Sequence, residues 1–190
     1  MNNKIKLKFK GVSSIVGTEE LGLIIMTNED ESRQITIVCD KLTEQQFILR
    51  LKNVPVKDRL LPEVLVGVLN DAEIRLEILI NNVIDGEYQT MLFNPDTLYT
   101  IKMRASDAML LSLIGNIPVY IAKDLMFRQS SPFKQGERGM TIPVNAINQT
   151  MLESALEKAI KDENYELASK IRDELKKREK NKHDNETNEQ

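Results

Sequence analysis

The run Ile101-Lys102-Met103-Arg104-Ala105-Ser106-Asp107-Ala108 brings an arginine, a hydroxyl and a carboxylate within four positions, ahead of an apolar stretch. An arginine offers a planar fork of N–H donors that matches phosphate oxygens. A helix N-terminus beside it adds free backbone donors and the positive end of a dipole. Arg104 is therefore a candidate phosphate clamp. The same residues also have an ordinary role: Ser is a preferred helix N-cap, and Asp in the first turn complements the dipole.

Other charged groups are read more plainly. Lys4, Lys6, Lys8 and Lys10, or Arg50 with Lys52, Lys57 and Arg59, would make a phosphate-contacting strip if brought together, although most such clusters are solvated faces. Glu73, Arg75 and Glu77 alternate and read as surface pairing across strands. Cys39 is the only cysteine and His183 the only histidine, the latter in the C-terminal tail.

The elements that must position these residues follow from periodicity. Lysines alternate with Ile5, Leu7 and Phe9, which predicts a strand over 4–10, expected at a sheet edge where lysines discourage further pairing. Strands over 21–27 and 34–39 flank a polar turn. A helix is expected over 43–52, opened by a Thr43-x-x-Gln46 capping box, and a second over 61–70, with Pro62 in its first turn. A long strand over 72–84 reaches the hairpin signal Asp85-Gly86 and returns over 87–93. Strands over 98–103 and 118–122 bracket a short apolar helix that Gly115 should end. This interleaving predicts an α+β fold, a mixed and largely antiparallel sheet with packed helices.

The chain divides into an α+β domain over 1–128, a linker over 129–148 carrying Ser130-Ser131-Pro132, Gly136, Gly139 and Pro143, a charged two-helix hairpin over 149–178, and a tail over 179–190 expected to be disordered. In the hairpin, Leu152, Ala155, Leu156, Ala159 and Ile160 form one stripe. Leu167, Ala168, Ile171 and Leu175 form the facing one, and Thr150-x-x-Glu153 supplies a capping box.

The 190 residues carry 29 acidic and 26 basic side chains, a net charge of -3, which argues against coating nucleic acid by bulk electrostatics. One cysteine allows no internal disulfide, no apolar run approaches the ~20 residues of a membrane span, and no export signal is visible. The expected location is the cytoplasm, with no membrane association.

Two resemblances emerge from these residues. Arg104, Ser106, Asp107 and Ala108, the apolar helix after them and Ile117-Pro118-Val119-Tyr120 resemble the bifunctional nuclease domain. The likeness extends upstream through Ile35-Thr36-Ile37-Val38 and Thr43-Glu44-Gln45-Gln46-Phe47. It implies a nuclease that hydrolyses phosphodiester bonds of DNA and/or RNA. Where that family commonly has Arg-Pro-x-Thr-His-Asp, this chain has Arg59-Leu60-Leu61-Pro62-Glu63-Val64 and keeps only an arginine and one acid. Lys102 stands in place of an acid and Ala105 in place of a proline. The implied catalytic set is Arg104, Asp107 and Glu63, with Ser106 and Arg59 as substrate contacts. Asp107 and Glu63 would hold Mg²⁺ or Mn²⁺.

The segment Ala159-x-x-Asp162-Glu163-Asn164-Tyr165-Glu166-x-Ala168-x-x-Ile171-Arg172-Asp173 resembles the UVR motif of bacterial excision-repair proteins. It implies a hairpin for protein–protein contact, usually with another such hairpin, and hence a homo-oligomer or a protein partner through 149–178. The alternative reading is a non-catalytic regulatory or assembly module on the same fold, which binds protein or nucleic acid.

Overall fold

A computed structural model describes residues 3–14, 21–133 and 149–187 of the chain. The described elements are β1 (Lys4–Ser14), β2 (Leu21–Asn28), β3 (Arg33–Asp40), α1 (Lys41–Leu51), a 3-10 turn (Pro55–Arg59), α2 (Leu61–Asp71), β4 (Glu77–Ile84), β5 (Glu87–Phe93), β6 (Thr100–Met103), α3 (Ala105–Gly115), β7 (Val119–Ala122), α4 (Lys123–Gln129) and β8 (Ser131–Pro132). Two more helices, α5 (Gln149–Lys161) and α6 (Tyr165–Thr187), complete them. The chain forms two compact units, one of sheet and helices through β8 and one made of α5 and α6 with the Ile84–Glu87 turn. No described helix is long and apolar enough to cross a membrane.

The fold is α+β. The strands form one sheet in the order β6-β5-β4-β7-β1-β2-β3-β8. β1 pairs antiparallel with β2 and β7, β2 with β3, β3 with β8, and β5 with β6, whereas β4 and β7 run parallel. The Asp85-Gly86 turn has φ of 51° and 82° at its two residues, the pair of positive angles that matches strand twist in a two-residue hairpin.

β1 is an interior strand, not the edge expected from its lysines. Alternation of Lys with Ile5, Leu7 and Phe9 reports one wet and one packed face, and an interior antiparallel strand meets that condition as well as an edge does. Most of the lysines are also engaged: Lys4 pairs with Glu77 at 2.5 Å, Lys10 with Glu31 at 2.6 Å, and Lys8 donates to the Glu29 carbonyl.

Ile24, Met26, Ile35, Ile37, Ile78, Ile80, Met109 and Ile121 anchor the core beneath α1 and α3. Phe9 stacks on Phe47 with ring centroids 5.5 Å apart, which pins α1 to β1. Gly22 permits a close approach on the same side, since a β-carbon there would come within 2.9 Å of Glu44. At the far end of α3, Asn116 adopts the left-handed cap conformation with φ 51°, so Gly115 is the last helical residue and not the stop.

Several expected boundaries moved. Ala72–Leu76 is not part of β4, so Arg75 is not on a strand, and it forms a bidentate surface pair with Asp96. The 3-10 turn and α4 were not foreseen. β8 pairs with β3 inside the segment read as a linker, whose remainder, 134–148, lies outside the described residues.

In the second unit, Leu152, Ala159, Ala168 and Ile171 are buried, with Ala155, Leu156 and Leu175 packed on them. Asn164 caps α6 by accepting from the Leu167 N–H at 3.2 Å. Ile160 and Leu167, expected on the inner faces, are partly exposed instead. α6 runs through most of the segment expected to be a disordered tail, where Lys, Arg and Glu carry high helix propensity.

Candidate functional site

α1 starts directly after β3, and α3 starts directly after β6. Five strands separate β3 from β6 in the sheet, yet α1 and α3 pack together on it. The two helix N-termini thereby deliver Asp40 and Arg104, 64 residues apart in sequence, to one place.

Arg104 is held there by two carboxylates. Its Nε donates to Asp107 Oδ2 at 2.8 Å and its Nη2 to Asp107 Oδ1 at 2.9 Å, while Nη1 donates to Asp40 Oδ2 at 3.2 Å. The other oxygen of Asp40 accepts from the Thr43 N–H at 2.7 Å, so Asp40 is the N-cap of α1. The capping box expected at Thr43 therefore starts three residues too late. Three of the five guanidinium N–H groups are used, which leaves one on each terminal nitrogen among the contacts of the described residues.

Electrostatics follow the geometry. The hydrogen bonds that Arg104 donates to Asp107, opposed by modest burial and reinforced by Asp40, raise the Arg104 pKa above its already high value. Burial works to raise Asp40, but the Thr43 N–H and the Arg104 charge outweigh it and hold the carboxyl below the usual range. The guanidinium is 65% exposed and the two carboxylates 42–43%, so the cluster opens to solvent. Two positive helix ends and a fixed arginine suit an oxyanion. The carboxylate lone pairs not used on Arg104 can still accept a proton or a water hydrogen bond.

Of the residues singled out in the sequence, Arg104 and Asp107 come together as expected. Ser106 is buried within the first turn of α3, and Arg104 occupies the N-cap position that Ser106 was expected to fill. Arg59 lies exposed in the 3-10 turn. Glu63 is engaged elsewhere: Arg50 Nη2 donates to it at 2.8 Å, with Arg50 also bound to the carbonyl and side chain of Gln46. That pair is only 5% and 14% exposed, a buried tie between α1 and α2.

Asp107 and Glu63 do not form the expected cation site. Both Asp107 oxygens hold Arg104, Glu63 holds Arg50, and no described group of three or more His, Cys, Asp or Glu side chains has the arrangement to bind a metal. The donor set as arranged fits a guanidinium and not Mg²⁺ or Mn²⁺.

Asp40 is the site residue that sequence reasoning missed, although an Asp directly before a helical pattern is itself a start signal. Cys39 beside it is buried, and desolvation with the charges of Glu44 and Asp40 pushes its thiol up to about 12. It is no nucleophile at neutral pH. Glu44 is also buried and pairs with Lys41 at 2.6 Å.

The family model described as the bifunctional nuclease domain matches residues 24–134, more than half of the chain, and the model described as the UvrB/uvrC motif matches residues 150–180. No curated protein matches the chain.

Proposed function

Because the chain belongs to the bifunctional nuclease domain family, we propose that it hydrolyses phosphodiester bonds of DNA and/or RNA at the Asp40–Arg104–Asp107 cluster. The observation that carries this reading is one solvent-facing arginine fixed by two carboxylates where two helix N-termini meet. Arg104 uses its remaining N–H groups and the helix ends to hold a phosphate and to offset the charge that grows on it in the transition state. Asp107 accepts the proton of the attacking water. Asp40 orients Arg104 from the opposite side. Arg59 and Ser106 enter only as candidate contacts to the chain of nucleotides.

No step in this reading runs through a metal. The α5–α6 pair acts separately as a protein-contact element, a role supported by the motif match and by exposed Ile160, Tyr165 and Leu167. A second reading, a non-catalytic binding module, draws support from Glu63 being locked to Arg50 and from Lys102 standing where an acid was expected.

Cleavage of labelled single- and double-stranded DNA and RNA, in Mg²⁺, in Mn²⁺ and in chelator, separates the two readings when wild type is compared with Asp107→Asn. Activity lost in the variant, with its fold intact, supports the nuclease. Nucleic-acid binding without turnover in both proteins supports the module.

A further inference from the structure

α2 is an apolar helix with its stripe on the outside. Only Val66 of its eleven residues is fully buried, while Leu61, Val64, Leu65 and Val68 are 46–79% exposed. These four stand at i, i+3, i+4 and i+7, the spacing of a single helix face. A helix in water normally turns such a face toward a core, and a contiguous apolar patch rimmed by charge marks a protein interface. The two acids of α2 lie off the stripe or at its end, Glu63 tied to Arg50 and Asp71 in the last turn.

The charges at the two ends are opposite. Arg59 is exposed just before α2 and Asp71 is exposed at its close, and neither has an ion-pair partner among the described residues. Asp58 is exposed beside Arg59 on the 3-10 turn, about a third of a turn away. When this helix is laid antiparallel on a copy of itself, the uncharged stripes face one another. Arg59 of each copy then falls near Asp71 of the other. A surface that is its own complement in both apolar pattern and end charge is what a two-fold interface requires.

We propose that the outer face of α2 is the docking surface for a second copy of this chain, with the two α2 helices crossing antiparallel about a two-fold axis. The interface rests on neither the Asp40–Arg104–Asp107 cluster nor the α5–α6 pair; Arg59 is the residue it shares with the candidate nucleotide contacts.

The test is sedimentation of the full chain over a wide concentration range. Wild type is expected to dimerise. Leu61→Asp is compatible with a helix first turn, where an acid suits the dipole, and Val68→Asp lies on the exposed stripe. Each should weaken the dimer by more than about tenfold while thermal melting of the monomer stays in place. Asp71→Arg alone should weaken it less, and adding Arg59→Asp to the same chain should restore it. That rescue in one chain is possible only if the partner is another copy. A monomeric wild type, a dimer indifferent to Leu61→Asp and Val68→Asp, or a failed rescue would each overturn the proposal.

Discussion

Two arginine–carboxylate contacts lie on neighbouring helices and differ in what surrounds them. Arg50–Glu63 is almost wholly buried, and Arg50 is fixed further by Gln46. Arg104 with Asp107 and Asp40 stands open to solvent. A buried pair has already given up its water, so removal of one member strands a charge in a poor dielectric. An exposed pair is nearly neutral for stability, and its partners can be exchanged for a ligand at little cost. Burial thus sets the two contacts apart: Glu63 sits in a buried tie between α1 and α2, whereas Arg104 stands where a ligand can reach it.

The sharpest break of this comparison is Glu63→Gln. It should lower stability by about 3–5 kcal/mol, because Arg50 would remain buried without its counter-charge. Urea denaturation checks this, and a loss below ~1 kcal/mol would place the pair with the surface contacts. At the exposed cluster, Asp40→Ala removes a helix cap and should cost about 1 kcal/mol, whereas Asp40→Asn keeps the cap, loses only the charge facing Arg104 and should cost less. Cleavage should fall in both, since each frees Arg104 from one side. If Asp40→Asn matched wild type in turnover, Asp40 would be a cap and nothing more.

Acid titration sharpens the same point. A carboxyl held below its unfolded value contributes stability in full at neutral pH, and that contribution disappears as pH falls through the lowered folded value, beneath the ordinary 3.8. The small gap in urea midpoint between wild type and Asp40→Asn should therefore be widest near neutrality and close as the Asp40 carboxyl is protonated. The smallest effect concerns Cys39. With its thiol pushed up to about 12, the folded protein should resist maleimide at about pH 8 and react only in denaturant.

Much of the fold is written locally. The Asp85-Gly86 turn, β5, α2 and β7 lie close to where their periodicity and turn chemistry put them. The misreadings have identifiable causes. Thr43-x-x-Gln46 satisfies the capping-box pattern, but Asp40 reaches the same backbone first. Alternating lysines look alike on an edge and on an interior strand with one wet face. α4 and β8 depend on packing and on β3 rather than on local pattern, and Ser130-Ser131-Pro132 reads as loop.

The site was half legible for a similar reason. Arg104 and Asp107 are three residues apart at a helix start, where spacing alone makes them neighbours. Asp40 joins them only because two helices from distant strands converge, and no spacing rule spans 64 residues. Glu63 enters the candidate set through the family resemblance, as the one acid kept in the segment 59–64. Its partner, Arg50, is supplied by the packing of α2 on α1.

The most direct test places the two contacts side by side: cleavage of labelled nucleic acid by wild type, Arg104→Ala and Glu63→Gln, each at a temperature where circular dichroism shows it folded. The account predicts that Arg104→Ala loses about 10²–10³-fold in turnover with its melting point nearly unchanged, while folded Glu63→Gln keeps turnover and melts early. Arg104→Ala cleaving as well as wild type, or Glu63→Gln losing turnover without losing stability, would contradict it.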